Sequence, residues 1–222
     1  PFLAARRFQH IEDADANRRN GTEGMLKRIL IVVALALFGA AADAQQPQAL
    51  PRVALETDAG RIVIELDTAR APITAGNFLR YVDGRRLDGT EFYRAMRTGE
   101  GAGLIQGGVR DPRRLFPPIA HEPTSQTGLS HVDGALSVPR FAPGSAQGDF
   151  TIMVGPQLYL DAGPNSASGD GLGYAVFGRV VEGMDVVRRI LAAPTSPTEG
   201  EGVMRGQMLS PRIRVVTARR LD

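Results

Sequence analysis

Two histidines next to acidic residues are the first candidates for chemistry in this 222-residue sequence. His121 is followed by Glu122, and His131 lies two residues before Asp133, in a stretch without helical or strand periodicity. Imidazole and carboxylate groups are common metal ligands. Hydrogen-bonded loop histidines are nevertheless the preferred interpretation, because three histidines and no cysteine leave a metal site short of ligands. We therefore expect no metal and no cofactor.

A second group of oxygen-bearing side chains lies further along, at Asp161, Asn165 and Asp170. Their spacing matches no calcium-binding loop, so solvated turn residues are the preferred interpretation. The glycine-rich run at 169–173 has no following helix whose free amides could hold a phosphate. It predicts a tight loop.

Covalent chemistry has few candidate residues. The absence of cysteine excludes disulfides, thiolate nucleophiles and a lipidated cysteine anchor. Nucleophile-elbow, Walker, metalloprotease and EF-hand patterns are also missing. The only lysine is Lys27, in the N-terminal segment discussed next, so Schiff-base catalysis is excluded for the mature chain. A formal net charge of +2 gives no indication of nucleic-acid binding.

The N-terminal residues predict export. A basic start at 25–28 precedes an apolar run at 29–38, and Ala-Asp-Ala at 42–44 fits a signal-peptidase site. Ten apolar residues are too few to span a bilayer, which takes about 20. A cleaved signal peptide is therefore preferred over a membrane anchor, with cleavage after Ala44 and a periplasmic or secreted product. The chain then divides into an untranslated or disordered extension (1–24), a signal peptide (25–44), a short lead-in (45–52) and one domain (53–222).

The mature part predicts a mainly β domain. Apolar and polar residues alternate over 53–57 and 61–67 around a glycine-containing turn, which is typical of a β-hairpin with Ile62, Ile64 and Leu66 on one face. Helical spacing runs from Pro72 to a stop at Gly84, with Ala75, Phe78, Leu79 and Val82 on one face, and returns over 184–191. Further strands are predicted at 91–95, 103–106, 135–138, 150–154, 174–180 and 212–218. Two helices among about eight strands indicate an antiparallel barrel or sandwich.

Six sequence blocks in register carry a family resemblance. They are Phe92-Tyr-Arg94, Ile105-Gln-Gly-Gly108, Gly134-Ala-Leu-Ser137, Asp149-Phe-Thr-Ile152, Tyr159-Leu-Asp161 and the stretch from Gly173 to Asp185 that begins Gly-Tyr-Ala-Val-Phe-Gly. In this order and spacing they resemble the cyclophilins, a family of peptidyl-prolyl cis-trans isomerases. The last block is most similar to the exported bacterial branch. The resemblance covers nearly the whole mature chain and implies a closed eight-stranded antiparallel β-barrel capped by two α-helices.

Isomerisation of this kind needs no nucleophile, metal or cofactor. Rotation about an X–Pro bond faces a barrier of about 18–20 kcal/mol because amide resonance must be broken. A fixed donor directed at the prolyl nitrogen stabilises the transition state, while an apolar pocket holds the ring. The resemblance implies Arg94 as that donor, on the same strand face as Phe92, and Gln106 as its orienting partner. It implies a substrate-binding surface formed by Phe92, Leu104, Asp149, Phe150, Thr151, Tyr159, Leu160 and Tyr174, with Phe150 mainly in packing.

Several positions depart from the family pattern. Thr151 stands where a second phenylalanine is usual, and Gly103 where another pocket phenylalanine is usual, so we expect a shallower proline pocket. About four extra residues fall within 97–102. Asp149 takes a usual glutamine position, from which a carboxylate could pair with Arg94 and compete for the donor.

The sequence thus predicts a monomeric isomerase that assists the folding of exported proteins. Its partners would be proline-containing segments of unfolded or partly folded proteins, without nucleic acid or a membrane anchor. The alternative is a catalytically weak cyclophilin-like module that binds peptides or acts as a chaperone. A hydrolase or sugar-binding barrel would need paired carboxylates, and nothing around the nearest candidates, Glu91 and Asp149, supports such a pair.

Overall fold

Eight antiparallel strands close into a barrel in the computed structural model, which describes residues 49–221. Their bounds are β1 Arg52–Thr57, β2 Gly60–Leu66, β3 Thr90–Gly99, β4 Ala102–Gly108, β5 Ala135–Val138, β6 Asp149–Val154, β7 Ala175–Glu182 and β9 Met208–Leu221, with a two-residue strand, β8 Thr195–Ser196, beside β9. The helices are α1 Pro72–Asp83, α2 Thr124–Thr127 and α3 Met184–Ala192. Within the described residues, none of these helices is long and apolar enough to cross a bilayer.

The ring of strands runs in the order β1, β2, β7, β5, β6, β4, β3, β9, and a pairing between β1 and β9 closes it. The predicted mainly β fold, a closed eight-stranded antiparallel barrel, is confirmed. Closure leaves these eight strands without a free edge. It also makes β3, β4 and β6 neighbours in one wall, so that residues distant in sequence meet on the outer surface of that wall.

Some details differ from the sequence-based expectations. The structure adds a third helix, α2, to the two predicted ones; with only four residues it is too short to show a helical period. β3 extends to Gly99 through three exposed residues, and β9 begins with two consecutive buried residues, Met208 and Leu209, so neither end shows period-two alternation. β1 begins at Arg52, inside the predicted lead-in. The predicted signal peptide (25–44) and upstream extension (1–24) lie outside the described residues.

The barrel interior holds the main core. The predicted inner face of β2 is fully buried, with Ile62, Ile64 and Leu66 in the core. α1 covers the core with the residues that its spacing predicts, Ala75, Phe78, Leu79 and Val82. α3 adds Val187 and Ile190. Both long helices therefore form as predicted because each has one apolar face to bury.

A buried carboxylate from a distant loop caps the N-terminus of α1. Ala71, the residue before the helix, offers no capping side chain. Instead Glu122 accepts hydrogen bonds from the backbone N–H groups of Ile73 at 3.0 Å and Thr74 at 2.7 Å, and from the Thr74 hydroxyl at 2.6 Å. These bonds satisfy donors that the first helical turn leaves unpaired, and the negative charge suits the helix dipole.

We expect Glu122→Ala to lower the free energy of unfolding by about 2 kcal/mol, because two helix N–H groups and a buried hydroxyl lose their acceptor. For a domain of this size the melting temperature should fall by about 4–8 °C. Thermal unfolding followed by circular dichroism measures the change, with Glu201→Ala, at an exposed position, as the control. Equal melting temperatures for the two variants would contradict the capping role.

Candidate active site

A bulge in β3 places two consecutive side chains on the outer surface of the barrel. The pairing of β3 with β4 runs from Phe92 opposite Gly107 to Arg94 opposite Gln106, so Tyr93 is an extra residue on the β3 side. Phe92 lies in the barrel core. Tyr93 and Arg94 both contact Gln106, on the outer face. The expectation that Phe92 and Arg94 share a strand face is therefore wrong, because the bulge interrupts the strand alternation.

The Arg94 guanidinium is held by neutral acceptors. Its Nη1 donates to Gln106 Oε1 at 2.9 Å, its Nε donates to Gln207 Oε1 at 2.8 Å, and its Nη2 contacts Met96 Sδ at 3.3 Å. Burial lowers the pKa of Arg94, although a guanidinium stays protonated in proteins. Since it carries five N–H groups, two remain for a substrate within the part of the chain that the structure describes.

Gln106 connects Arg94 to a buried carboxylate. Its Nε2 donates to Tyr93 Oη at 2.6 Å and to Asp149 Oδ2 at 3.2 Å, and the Tyr93 hydroxyl donates to the same Oδ2 at 2.5 Å. Burial raises the pKa of Asp149 and that of Tyr93. The guanidinium carbon of Arg110 lies 4.7 Å from the centre of the Tyr93 ring. The anticipated ion pair between Asp149 and Arg94 is not formed; Gln106 and Tyr93 stand between them.

An apolar cluster separate from the barrel core lies on the same outer face. Leu104, the β4 neighbour of Gln106 on this face, is packed with Leu160, Met153 and other buried side chains of this second cluster, Ala135 and Val176. Tyr174 packs against its edge. Leu104 and Leu160, both expected to bind the substrate, are therefore brought together beside the arginine.

Two tyrosines lie near the guanidinium. Tyr159 is 40% exposed, and Tyr174 is half-buried with Arg140 5.5 Å from its ring centre. Both phenols influence the pKa of Arg94 electrostatically, which requires them to be close to it. Arg94 and Gln106 therefore lie on the same outer face as the second apolar cluster, whose edge Tyr174 contacts.

Thr151 and Gly103 fit their surroundings without an aromatic side chain. Thr151 is buried, and its hydroxyl donates to the Ser137 carbonyl at 3.2 Å. Gly103 has φ +150°, and a Cβ there would lie 2.0 Å from the Met96 carbonyl oxygen, so no other residue fits without moving the backbone. The extra residues at 97–102 lengthen the β3–β4 hairpin around this glycine.

Phe92 and Phe150 lie in the barrel core instead of on the substrate surface. Their rings pack edge to face at 5.5 Å, and Phe150 makes a similar contact with Phe78 at 5.3 Å. Fully buried rings offer no surface to a peptide on the outside of the barrel. Their assignment to substrate contact is corrected accordingly: they stabilise the strands that carry Arg94 and Asp149.

The histidines are hydrogen-bonded, as the preferred interpretation has it. His131 is fully buried; its Nδ1 donates to Asp161 Oδ1 at 2.6 Å and its Nε2 accepts from Ser137 Oγ at 2.8 Å. This arrangement resembles that of a serine hydrolase, but Ser137 is buried and closed to a substrate. His121 bonds the Leu172 carbonyl at 3.2 Å.

The other polar candidates are also structural. Asp170 forms a two-point pair with Arg140 at 2.8 and 2.9 Å, which holds the pKa of Asp170 well below its usual range. Arg140 and Ser168 then bond the backbone of Gly173, fixing the 169–173 loop. Among residues 49–221, no group of three or more acidic or histidine side chains could hold a metal ion.

Burial of His131 makes the stability of the protein depend on pH. Its pKa is lowered by desolvation, against the opposing effect of Asp161, so the unfolded chain binds a proton more readily than the folded one. The free energy of unfolding should then fall as the pH drops below about 6.5, by up to about 1.4 kcal/mol per pH unit. Chemical denaturation at several pH values gives the free energy of unfolding at each pH. This free energy should change less with pH in His131→Asn than in the wild type. An identical pH dependence of the free energy of unfolding in the wild type and in His131→Asn would contradict the assignment.

Three groups around Arg94 escaped the sequence analysis. Gln207 is 113 residues away from Arg94, and no motif points to it. Met96 packs against the second apolar cluster next to Arg94, and no motif points to it. Tyr93 belongs to the Phe92-Tyr-Arg94 block, but strict strand alternation assigns its side chain to the face opposite Arg94. A bulge signal in the sequence would have been needed to find it.

Comparison with known proteins decides the family. The family model described as cyclophilin type peptidyl-prolyl cis-trans isomerase/CLD matches residues 52–216. The chain belongs to this family. It is 37% identical over 177 residues to a peptidyl-prolyl cis-trans isomerase of Acinetobacter baylyi, covering 78% of this chain and 86% of the relative. It is 39% identical over 153 residues to one of Streptomyces antibioticus, covering 67% and 87%.

Solved structures agree on the fold. A cyclophilin type peptidyl-prolyl cis-trans isomerase of Cryptosporidium parvum superposes with a TM-score of 0.60 at 19% identity, covering 78% of this chain and 98% of that one. A second structure of the same protein, determined in the presence of the dipeptide Ala-Pro, gives 0.59 at 18% identity, covering 77% and 99%. At this identity the likeness concerns the cyclophilin barrel alone.

Proposed function

We propose that this cyclophilin-type isomerase catalyses rotation of X–Pro bonds in exported proteins, with Arg94 as the donor to the prolyl nitrogen. The observation that carries the proposal is the way Arg94 is held. Two amide oxygens and a thioether fix the guanidinium, so no adjacent carboxylate neutralises it within the described residues. Its charge and its two unused N–H groups remain available beside an apolar surface.

Such a group suits the chemistry of the reaction. In the twisted transition state the prolyl nitrogen becomes pyramidal and gains a lone pair, which a fixed cation stabilises more than it stabilises the planar ground state. The proline ring would rest on the second apolar cluster, against Leu104 and Leu160. Gln106 would keep the guanidinium in place, and Tyr159 and Tyr174 would border the ring. No bond to the protein is made or broken.

The isomerase rate tests this function. The purified protein should exchange the cis and trans forms of an Ala-Pro peptide much faster than the uncatalysed tens to hundreds of seconds, as measured by NMR exchange spectroscopy. The second candidate, a module that binds peptides without isomerising them, is favoured by the loss of pocket aromatics at Thr151 and Gly103. Peptide binding without rate enhancement, by protein that melts cooperatively, would select that candidate.

The substrates are proposed to be proline-containing segments of unfolded or partly folded proteins in the periplasm or outside the cell. The support is the basic, apolar and small-residue order of residues 25–44. We expect the chain expressed in a Gram-negative bacterium to be recovered from the periplasm, with Gln45 as its first residue by intact-mass measurement. Replacement of the apolar run by polar residues should leave it unprocessed in the cytoplasm. Processing that is unaffected by this change would contradict the proposal.

The mature protein is proposed to act as a monomer. Its site is assembled from β3, β4, β6, the residue before β9 and the segment around Leu160, all within one chain. Light scattering of the purified protein tests this, and a dimer that dissociates only with loss of activity would contradict it.

A further inference from the structure

The hydrogen bonds that lead away from Arg94 all point in one direction. Arg94 donates to Gln106, Gln106 donates to the Tyr93 hydroxyl and to Asp149, and Tyr93 donates to Asp149. A guanidinium can only donate, and an ionised carboxylate can only accept. The two ends of this chain of bonds therefore determine the direction of every bond between them.

We propose that Asp149 is a positioning residue for catalysis: through Tyr93 and Gln106, its carboxylate fixes the amide orientation that turns Gln106 Oε1 toward Arg94. Asp149 does not touch the substrate in this account. It acts on Arg94 through Gln106, and the inference rests on the proposed role of Arg94 as donor.

Gln106 needs an external constraint because its amide group has two nearly isosteric orientations. The reversed orientation would put the amide NH₂ against the guanidinium and the amide oxygen against the carboxylate. Gln106 is 5% exposed and Tyr93 6% exposed, so bulk water competes little for these bonds, and the low local dielectric strengthens them. Removing the carboxylate leaves only Arg94 to discriminate between the two orientations.

Asp149 also destabilises the folded protein in this position. Its Oδ1 is buried and has no hydrogen-bond partner among the described residues. It lies against Gly108, where a Cβ would approach it to 2.7 Å. A buried, half-satisfied carboxylate destabilises a fold, whereas the glutamine usual in the resembling family carries no charge. The other oxygen, Oδ2, accepts the bonds from Tyr93 and Gln106. We therefore infer that the charge serves to orient these two donors.

The titratable groups whose pKa is coupled to the charge of Asp149 are tyrosines and an arginine. Tyr93 on β3 and Tyr81 on α1 both have a pKa raised by burial, with Asp149 contributing to each. The neighbouring cations, Arg94 on β3 and Arg110 after β4, are guanidinium groups. Burial places the pKa of Asp149 above the ordinary aspartate value of 3.8. An acid limb in the rate that depends on this chain of bonds therefore belongs to Asp149.

The test measures kcat and KM for an Ala-Pro peptide without titratable side chains, using the purified protein. Asp149→Leu should lower kcat about tenfold, within the range for a slightly misplaced catalytic group, with little change in KM. Tyr93→Phe, which removes one bond of the chain, should have a smaller effect of the same kind. Glu122→Gln changes a buried carboxylate that caps α1, and it should leave kcat unchanged.

The decisive comparison repeats these variants in a Gln106→Ala background. If Asp149 acts through Gln106, then Asp149→Leu should have no further effect on kcat there. A decrease of the same size with and without Gln106 would show a merely structural role and overturn the proposal, as would an unchanged kcat in the single variant.

A pH profile provides a second readout that survives poor folding of Asp149→Leu. The kcat of the wild type should fall on the acid side as Asp149 becomes protonated, since a protonated carboxyl can donate and no longer imposes one direction. Asparagine has the shape of aspartate but does not titrate, so the kcat of Asp149→Asn should not fall on the acid side. The kcat of Gln106→Ala should not fall there either. An acid limb that persists in Asp149→Asn would overturn the proposal. A wild-type protein without isomerase activity would instead refute the proposed function before any variant is compared.

Discussion

Replacing Arg94 with alanine should lower kcat/KM for an Ala-Pro peptide by about 100- to 1000-fold, the loss typical when a preorganised transition-state donor is removed. The effect should be large because, within the described residues, Arg94 is the cation held by Gln106 and Gln207 at the edge of the second apolar cluster. Arg94→Lys should recover little of it, since an ammonium lacks the planar fork that engages both amides. NMR exchange spectroscopy measures the rate.

The control is Arg113→Ala, an exposed arginine whose side chain bonds Asp111 and not Arg94 or Gln106, which should keep the wild-type rate. Both variants should melt cooperatively near the wild-type temperature, because Arg94 lies on the outer face of the barrel and not in its core. Loss of cooperative melting in Arg94→Ala would mean that the residue is structural. Full activity in that variant would contradict the proposal that the Arg94 guanidinium stabilises the transition state.

The second large effect concerns stability. Phe150→Ala should lower the free energy of unfolding by about 3–5 kcal/mol, because its ring is fully buried between Phe78 and Phe92 and leaves a cavity behind. Such a loss is a large share of the about 5–15 kcal/mol that stabilises a typical domain. Urea unfolding followed by circular dichroism gives the value.

Phe141→Ala is the matched control, since that ring is 96% exposed and its removal should change stability by less than about 0.5 kcal/mol. If Phe150→Ala unfolded like the wild type but isomerised poorly, the ring would belong to the substrate surface after all. The comparison thus separates packing from binding for a residue that the family pattern places next to the proline pocket.

The fold could be predicted well from local patterns. Period-two alternation in β2 and the helical spacing of α1 and α3 are strong signals, because each element buries one full face. α2 could not be predicted, since four residues show no period. The closure of the barrel was not visible in the pattern of any strand; it followed from the six blocks in register.

The site was predictable only in part. The spacing of Arg94 and Gln106 identified both members of the central pair through the family resemblance. Gln207 could not be found, because its contact with Arg94 depends on how β9 is placed beside β3. The predicted shared face of Phe92 and Arg94 was wrong, because the alternation rule fails wherever an extra residue, here Tyr93, enters a strand. Asp149 lies near Arg94, but its carboxylate accepts from Tyr93 and Gln106 instead of forming the anticipated ion pair.

The pairing between the first and last strands has a consequence for how this protein itself is made. Arg52 at the start of β1 pairs with Leu221 at the end of β9, and β3 also pairs with β9. During synthesis from the N-terminus, β1 and β3 therefore each keep one unpaired edge until β9 emerges. Contacts so distant in sequence make folding slow and leave strand edges open to aggregation meanwhile. An isomerase that accelerates a slow step in the folding of other proteins would thus complete its own barrel only after β9 has been synthesised.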